Sequence, residues 1–275
     1  MRKLTLIATL FMALSFNASA FKDEVHKVHS KGMNKDIPVT VVTPDSYNES
    51  NKLFPVVYLL HGYSDNHRAW IERTDVESLA DLYDIIIVMP DGGYDSWYFD
   101  SKIVEDYQYE TFVTSELICY VDCHFNTIKD RSGRAITGLS MGGHGAFHSA
   151  IKHQDVFGSV GSMSGGVDIR PFPESWNIAK RIGAYKDNPQ AWESSTVINL
   201  THLISNGSLN IIFDCGVDDF FYEVNCNLHK KLMDEGIAHD FYLRPGKHNW
   251  AYWRNSIKYQ MLFFNECFIK NNNRL

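Results

Sequence analysis

Apolar and polar positions along the chain follow two periods. From Val25 to Ser30 and from Ile37 to Pro44 they alternate in twos and are rich in β-branched residues, which predicts an N-terminal hairpin or meander. The next apolar stretch, Pro55-Val-Val-Tyr-Leu-Leu60, has no polar face and ends in His61-Gly62. Such a run suits a strand covered on both sides of a parallel sheet. The run from Ile85 to Met89, ending in Pro90-Asp91-Gly92, repeats it, as do those from Arg134 to Thr137, Ser159 to Met163, Asn210 to Phe213 and Asp240 to Leu243.

Between these runs the spacing becomes helical, over residues 69–82, 107–125, 142–153, 222–235 and 251–268. Buried strands alternating with amphipathic helices predict parallel βαβ units: an α/β fold with a mostly parallel central sheet and helices on both faces. Ligand chemistry belongs beyond the carboxyl ends of such strands. Residues 165–208 break the rhythm with Gly165-Gly166, prolines, Trp176 and Trp192. This stretch is expected to be a small cap-like insertion over the site rather than a domain of its own.

Composition changes this picture mainly at the ends. Arg2 and Lys3, the apolar run from Leu4 to Phe16 and Ala18-Ser19-Ala20 have the order of a cleavable export signal, too short to span a bilayer comfortably. Residues 1–20 are therefore set aside as a signal peptide, and residues 21–275 are expected to form one domain in the periplasm or outside the cell. The formal charge of −7 becomes more negative without Arg2 and Lys3, and no basic cluster appears. Nucleic acid and, after signal cleavage, membrane are excluded as expected partners. Asn271-Asn-Asn273 suggests a frayed end. Five scattered cysteines do not make a disulfide scaffold, and Cys119 with Cys123 resembles a metal pair only superficially.

Candidate chemistry centres on Gly138-Leu-Ser140-Met-Gly142, at a predicted strand-to-helix junction. A sharp turn there lifts the serine hydroxyl above the sheet, and small neighbours let strand and helix approach. Serine needs a base, and in folds carrying this turn the order is serine, acid, histidine. His229 lies mid-helix and His239 at the wrong end of the last strand, so His248, just after that strand, is the candidate base. Asp214 falls within a strand, whereas Asp218 and Asp219 follow the Gly216 turn, and spacing does not separate these two. The oxyanion donors are expected at the amide of Met141 and in the His61-Gly62-Tyr63 turn, with His61 itself structural. Of the aromatic residues near these loops, Trp97 and Trp250, with Gly62, are the candidate walls of a substrate pocket. His144 and His148, four apart, are taken as core or rim histidines; no metal or cofactor is called for.

Together, Leu59-Leu-His-Gly-Tyr63, Ser96-Trp-Tyr98, Gln108-Tyr-Glu-Thr-Phe112, Gly138-Leu-Ser-Met-Gly-Gly143, Asp214-Cys-Gly216 with Asp219-Phe220, and Pro245-Gly246 with His248 resemble the putative-esterase family of α/β-hydrolases over nearly the whole mature chain. That group includes esterase D, tributyrin esterases, feruloyl and acetyl-xylan esterases, and mycolyltransferases. The resemblance implies the α/β-hydrolase fold, Ser140, Asp219 and His248 as catalytic residues, and the amides of Tyr63 and Met141 as the oxyanion hole. Asn249 stands where similar members often carry Asp. The expected activity is that of an exported serine esterase acting on short-chain or carbohydrate-linked acetyl or feruloyl esters. An acyltransferase with a sugar acceptor and a non-catalytic carbohydrate-binding homologue are the alternatives.

Overall fold

The computed structural model describes residues 22–48 and 52–272, so the signal predicted over residues 1–20 lies outside the described residues. Among these, eight strands form one sheet: β1 (Lys22–Ser30), β2 (Lys35–Thr43), β3 (Val56–Leu60), β4 (Ile86–Pro90), β5 (Arg134–Gly138), β6 (Ser159–Met163), β7 (Asn210–Gly216) and β8 (Asp240–Arg244). Their order is β1-β2-β4-β3-β5-β6-β7-β8. β1 pairs antiparallel with β2 and β2 with β4, while every pairing from β4 across to β8 is parallel. The N-terminal hairpin and the mostly parallel sheet expected from the hydrophobic pattern are both present. All five residues of β3, β4, β5 and β6 are buried, as strands covered on both faces require.

The helices are α1 (Ala69–Arg73), α2 (Val76–Tyr83), α3 (Tyr109–Thr111), α4 (Leu117–His124), α5 (Met141–Lys152), α6 (Ile178–Ile182), α7 (Pro189–Ser195), α8 (Tyr222–Asp234) and α9 (Trp250–Asn272). Alternate residues of one strand serve opposite cores. Tyr58 and Leu60 join Leu117, Phe147 and Leu228 on the face of α4, α5 and α8. Val57 and Leu59 join Trp70, Ala80, Met261 and Phe264 on the face of α1, α2 and α9. Each fully buried side chain of this size contributes about 1.5–3 kcal/mol.

Where helix boundaries differ from the periodicity, threonines account for it. The single helix predicted over 69–82 is two, because the Thr74 hydroxyl donates to the Trp70 carbonyl (2.6 Å) and its backbone turns extended at φ −143°. The helix predicted over 107–125 carries a π-helical turn at Phe112–Glu116 between α3 and α4, where the Thr114 hydroxyl donates to the Glu110 carbonyl (2.8 Å). Asn271, expected at a frayed end, lies in α9, and its amide donates to the Ser132 carbonyl (3.1 Å).

Residues 165–208 connect β6 to β7 through α6, α7 and short 3-10 turns, with Trp192 fully buried among them. All five cysteines are free; Cys119 and Cys123 are exposed on α4. No helix among the described residues is long and apolar enough to cross a membrane.

Candidate active site

β5 hands the chain to α5 through Leu139 and Ser140, and Ser140 sits at φ 54°, ψ −116°. A non-glycine residue with positive φ costs on the order of 1–3 kcal/mol and persists only where its surroundings impose it. Here they do. The Ser140 amide donates to the Met163 carbonyl (2.9 Å), and its own carbonyl accepts from the His144 amide (3.0 Å). A Cβ on Gly138 would lie 2.7 Å from the backbone of Gly142 and Leu60, and one on Gly142 would lie 2.6 Å from the carbonyl oxygens of Leu60 and His61. The two glycines let strand and helix pass this closely, and that leaves the serine at the apex.

The His248 imidazole, in the loop after β8, completes a line of hydrogen bonds. Its Nε2 is 2.9 Å from the Ser140 hydroxyl, and its Nδ1 is 2.9 and 3.0 Å from the two oxygens of Asp219. A carboxylate only accepts, so the proton lies on Nδ1 and the free Nε2 accepts from the serine O–H. Asp219 is buried and also accepts from the Phe221 amide (2.8 Å), which fixes its orientation.

Of the carboxylates that spacing left open, geometry selects Asp219. Asp218 is exposed, and its backbone amide donates to the Gly246 carbonyl (2.9 Å), tying the acid loop to the histidine loop. Asp214 is fully buried on the far side of β7, where it accepts from the Ser256 hydroxyl (2.5 and 2.6 Å) and the Gln260 amide (3.0 Å). Burial pushes its pKa up.

Met141 is the first residue of α5, where backbone N–H groups have no helical acceptor, and Tyr63 follows Gly62 in the turn after β3. Both positions expected to supply oxyanion donors therefore flank Ser140. His61 braces that turn from behind. Its Nδ1–H donates to the Gly62 carbonyl (2.8 Å), while Nε2 accepts from the Gly92 amide (2.7 Å). Burial, its largest influence, lowers its pKa, so the ring is neutral and structural, as expected.

A cleft of about 240 Å³ opens beside the serine, lined by Gly62, Tyr63, Ser140, Trp176, Phe220, His248 and Trp253, with Asp65 and Leu139. Gly62 is where the sequence placed it. Trp97 and Trp250 are not: both stand one layer behind the wall. Trp97 is 1% exposed, packs edge-on to His144, and donates its indole N–H to the Trp176 carbonyl (3.2 Å). Trp250 is wedged edge-on between Trp70 and Trp253. Trp97 and the adjacent Tyr98 both have positive φ (53° and 58°), and both rings are buried.

Neither Trp176 nor Phe220 is among the individual wall residues that the sequence singles out, although Trp176 belongs to the 165–208 stretch expected over the site. Phe220 is legible by adjacency, since it follows the acid directly. His144 and His148 stack in the core with ring centroids 5.7 Å apart, and burial lowers their pKa values to about 4 and about 3, so both are neutral. Among the described residues no group of three or more His, Cys, Asp or Glu side chains could hold a metal ion. A larger groove, about 690 Å³, lies between β1 and α4 but is lined by none of the hydrogen-bonded hydroxyl, imidazole and carboxylate groups above. Chemistry rather than size locates the site.

The arrangement suits acyl transfer: a hydroxyl bonded to an imidazole that a buried carboxylate orients, with Met141 next in the chain and Tyr63 lining the same cleft. Comparison with known proteins points the same way. Residues 30–264 match the family model described as Putative esterase. The chain is 38% identical over 135 residues to an esterase of Mycobacterium tuberculosis, an alignment that takes in 48% of this chain and 30% of that longer protein. It is 28% identical over 252 residues to an acetyl esterase of Caldicellulosiruptor saccharolyticus, covering 83% of this chain and 92% of the relative. Among solved structures it is similar to a ferulic acid esterase, with a TM-score of 0.78, 29% identity, and 90% and 98% of the two chains covered.

Proposed function

The chain belongs to the Putative esterase family, and from that premise we propose that it is a serine carboxylesterase, exported from the cytoplasm, that hydrolyses short-chain or carbohydrate-linked acetyl or feruloyl esters. One observation carries the proposal: the unbroken line from the Ser140 hydroxyl through His248 to buried Asp219, with bonds of 2.9 Å on either side of the imidazole. Its three members come from three separate turns, and a merely structural serine has no need of it.

In this reading the Ser140 oxygen attacks the ester carbonyl as its proton passes to His248 Nε2. Negative charge collects on the carbonyl oxygen, which the amides of Tyr63 and Met141 receive. Asp219 stabilises the imidazolium and holds its tautomer without taking the proton. Collapse of the tetrahedral intermediate breaks the bond to the alcohol, which leaves with the proton from Nε2. Water then attacks the acyl-serine, giving its proton to the same nitrogen, and the second collapse returns it to Ser140 as the acid departs.

A cleft of about 240 Å³ falls at the small end of ligand sites and is walled by aromatic rings, which favours a short acyl group or a planar one. Support for an acetyl or feruloyl acyl group comes from the relatives named as acetyl and ferulic acid esterases. Support for export comes from the amino-terminal order of charged, apolar and small residues.

The test is a burst of p-nitrophenol from p-nitrophenyl acetate, followed by steady turnover, with Ser140→Ala abolishing both. Full activity in that variant ends the proposal. Acetyl, butyryl and feruloyl esters of simple alcohols and xylo-oligosaccharides then define the substrate, and product analysis with a sugar acceptor present separates hydrolysis from transfer to that acceptor.

A further inference from the structure

Seven of the nine non-glycine residues with positive φ among the described residues are Ser64, Trp97, Tyr98, Ser140, Ser164, Trp176 and Asn177. They gather in the loops around Ser140. Four of them form two consecutive pairs, Trp97 with Tyr98 and Trp176 with Asn177, and the pairs are bonded to each other through the Trp97 indole and the Trp176 carbonyl (3.2 Å). Backbone held this way at successive residues is strained, and strain of this kind clusters where surrounding bonds enforce one geometry.

The second pair aims the Asn177 side chain at two acceptors. Its amide nitrogen is 3.0 Å from Asp95 Oδ2 and 3.3 Å from the Tyr63 hydroxyl. Asp95 is 3% exposed, and its other oxygen accepts from Arg181 Nε and Nη2 at 3.0 and 2.7 Å. Arg181 in turn lies 3.7 Å over the Tyr107 ring. A buried carboxylate cannot face an amide oxygen, so the charge on Asp95 sets which way the Asn177 amide points, and Arg181 holds Asp95 in place. The second N–H of Asn177 is thereby left for Tyr63.

We infer that Asn177 is a positioning residue: through the Tyr63 hydroxyl it holds the turn after β3 so that the Tyr63 backbone N–H stays aimed at the oxyanion. This rests on the esterase reading above. The Tyr63 turn is also tied by the Ser64 amide to the Tyr94 carbonyl (2.8 Å), by the edge-on packing of Tyr63 against Tyr94 (5.0 Å) and by His61 at the Gly62 carbonyl (2.8 Å). Asn177 adds a tie to the Tyr63 side chain itself, from the connection between β6 and β7. That long segment then does more than wall the cleft; it sets the geometry of a donor to which it contributes no atom.

The experiment compares Asn177→Gly with Tyr63→Phe. Glycine accepts the φ of 56° without strain, so the first removes the side chain and spares the backbone, while the second removes only the hydroxyl and keeps the amide. An alkyl trifluoromethyl ketone, which adds to the serine as a tetrahedral oxyanion, reads the donor directly. In both variants kcat on p-nitrophenyl acetate is expected to fall roughly tenfold to a hundredfold, and the ketone to bind more weakly by the same factor, with KM within about twofold of the wild type. The double variant is expected to lose no more than the larger single loss in kcat, because both changes cut the same Asn177–Tyr63 bond.

A purely structural Asn177 would lower the melting temperature and leave the ketone's affinity alone. Unchanged kcat and ketone affinity in both variants, with a fully active wild type, overturns the role of Asn177 and leaves the esterase reading standing. A wild type that turns over no ester overturns both.

Discussion

The Phe220 ring lies against the His248 imidazole, with centroids 4.1 Å apart and planes inclined by 36°, although Phe220 is itself 52% exposed. Trp176 stacks on it at 5.5 Å and 21°, and Phe221 meets it edge-on at 4.7 Å. An aromatic ring held between the base and the cleft wall shields the base from water while giving up half its own burial, so its contribution falls on the ligand rather than on the fold. Phe220→Ala is expected to raise KM for aromatic esters roughly two- to twelvefold, the equivalent of one aromatic pair, and to leave the melting temperature within a degree or two. Steady-state kinetics with a feruloyl and an acetyl ester check this; equal KM values in variant and wild type for both would remove Phe220 from the substrate site.

Asp219 and Asp218 are neighbours in sequence with opposite surroundings, one buried against the imidazole and the other exposed. Asp219→Asn removes the acceptor that keeps the proton on Nδ1, and kcat is expected to fall on the order of 10³- to 10⁴-fold. Asp218→Asn keeps the backbone bond to Gly246 and is expected to change kcat less than about twofold. Comparable losses in the two variants would contradict the assignment.

Gly142 leaves no room for a side chain. A methyl group there would meet two backbone carbonyl oxygens at 2.6 Å, and neither can move without displacing β3 or the turn that carries Tyr63. Gly142→Ala is expected to cost about 1–3 kcal/mol of stability and to lower kcat, because the helix retreats from Ser140. Denaturant unfolding together with kinetics tests this. Wild-type values in both would mean the close approach is not what shapes the turn.

His144 is fully buried beside Trp97 and Phe99, and burial lowers its pKa to about 4 despite the bond to the Gly166 carbonyl (2.9 Å). The unfolded chain protonates the same ring near its ordinary 6.5. Between those values the unfolded state binds more protons, so stability is complete above about pH 6.5 and declines as pH falls toward 4, by on the order of 3 kcal/mol for this group. Melting temperature measured from pH 7 to pH 4.5 is expected to drop more steeply for the wild type than for His144→Leu. Parallel curves would show that the folded protein accommodates the charge.

Hydrophobic patterning carried the strands, the main helices and the parallel sheet, because burial on two faces leaves no polar residue in a run such as Val56–Leu60, and its shortness and the Gly62 that follows mark it as a strand. The glycines around Ser140 and the order of serine, acid and histidine carried Ser140 and His248 and narrowed the acid to two neighbours, since local backbone sterics are written in adjacent positions. Between Asp218 and Asp219 the residues themselves left the choice open; family resemblance favoured Asp219, and the position of one carboxylate under the His248 ring agrees with it. The walls of the cleft were a different matter. Trp97 and Trp250 carry the same side chain as Trp176 and Trp253, and what separates them is which rings each indole meets in the folded chain. Joining Asn177 to Tyr63 likewise takes loops 114 residues apart, and a contact of that kind exists only once the sheet has brought its strand ends together.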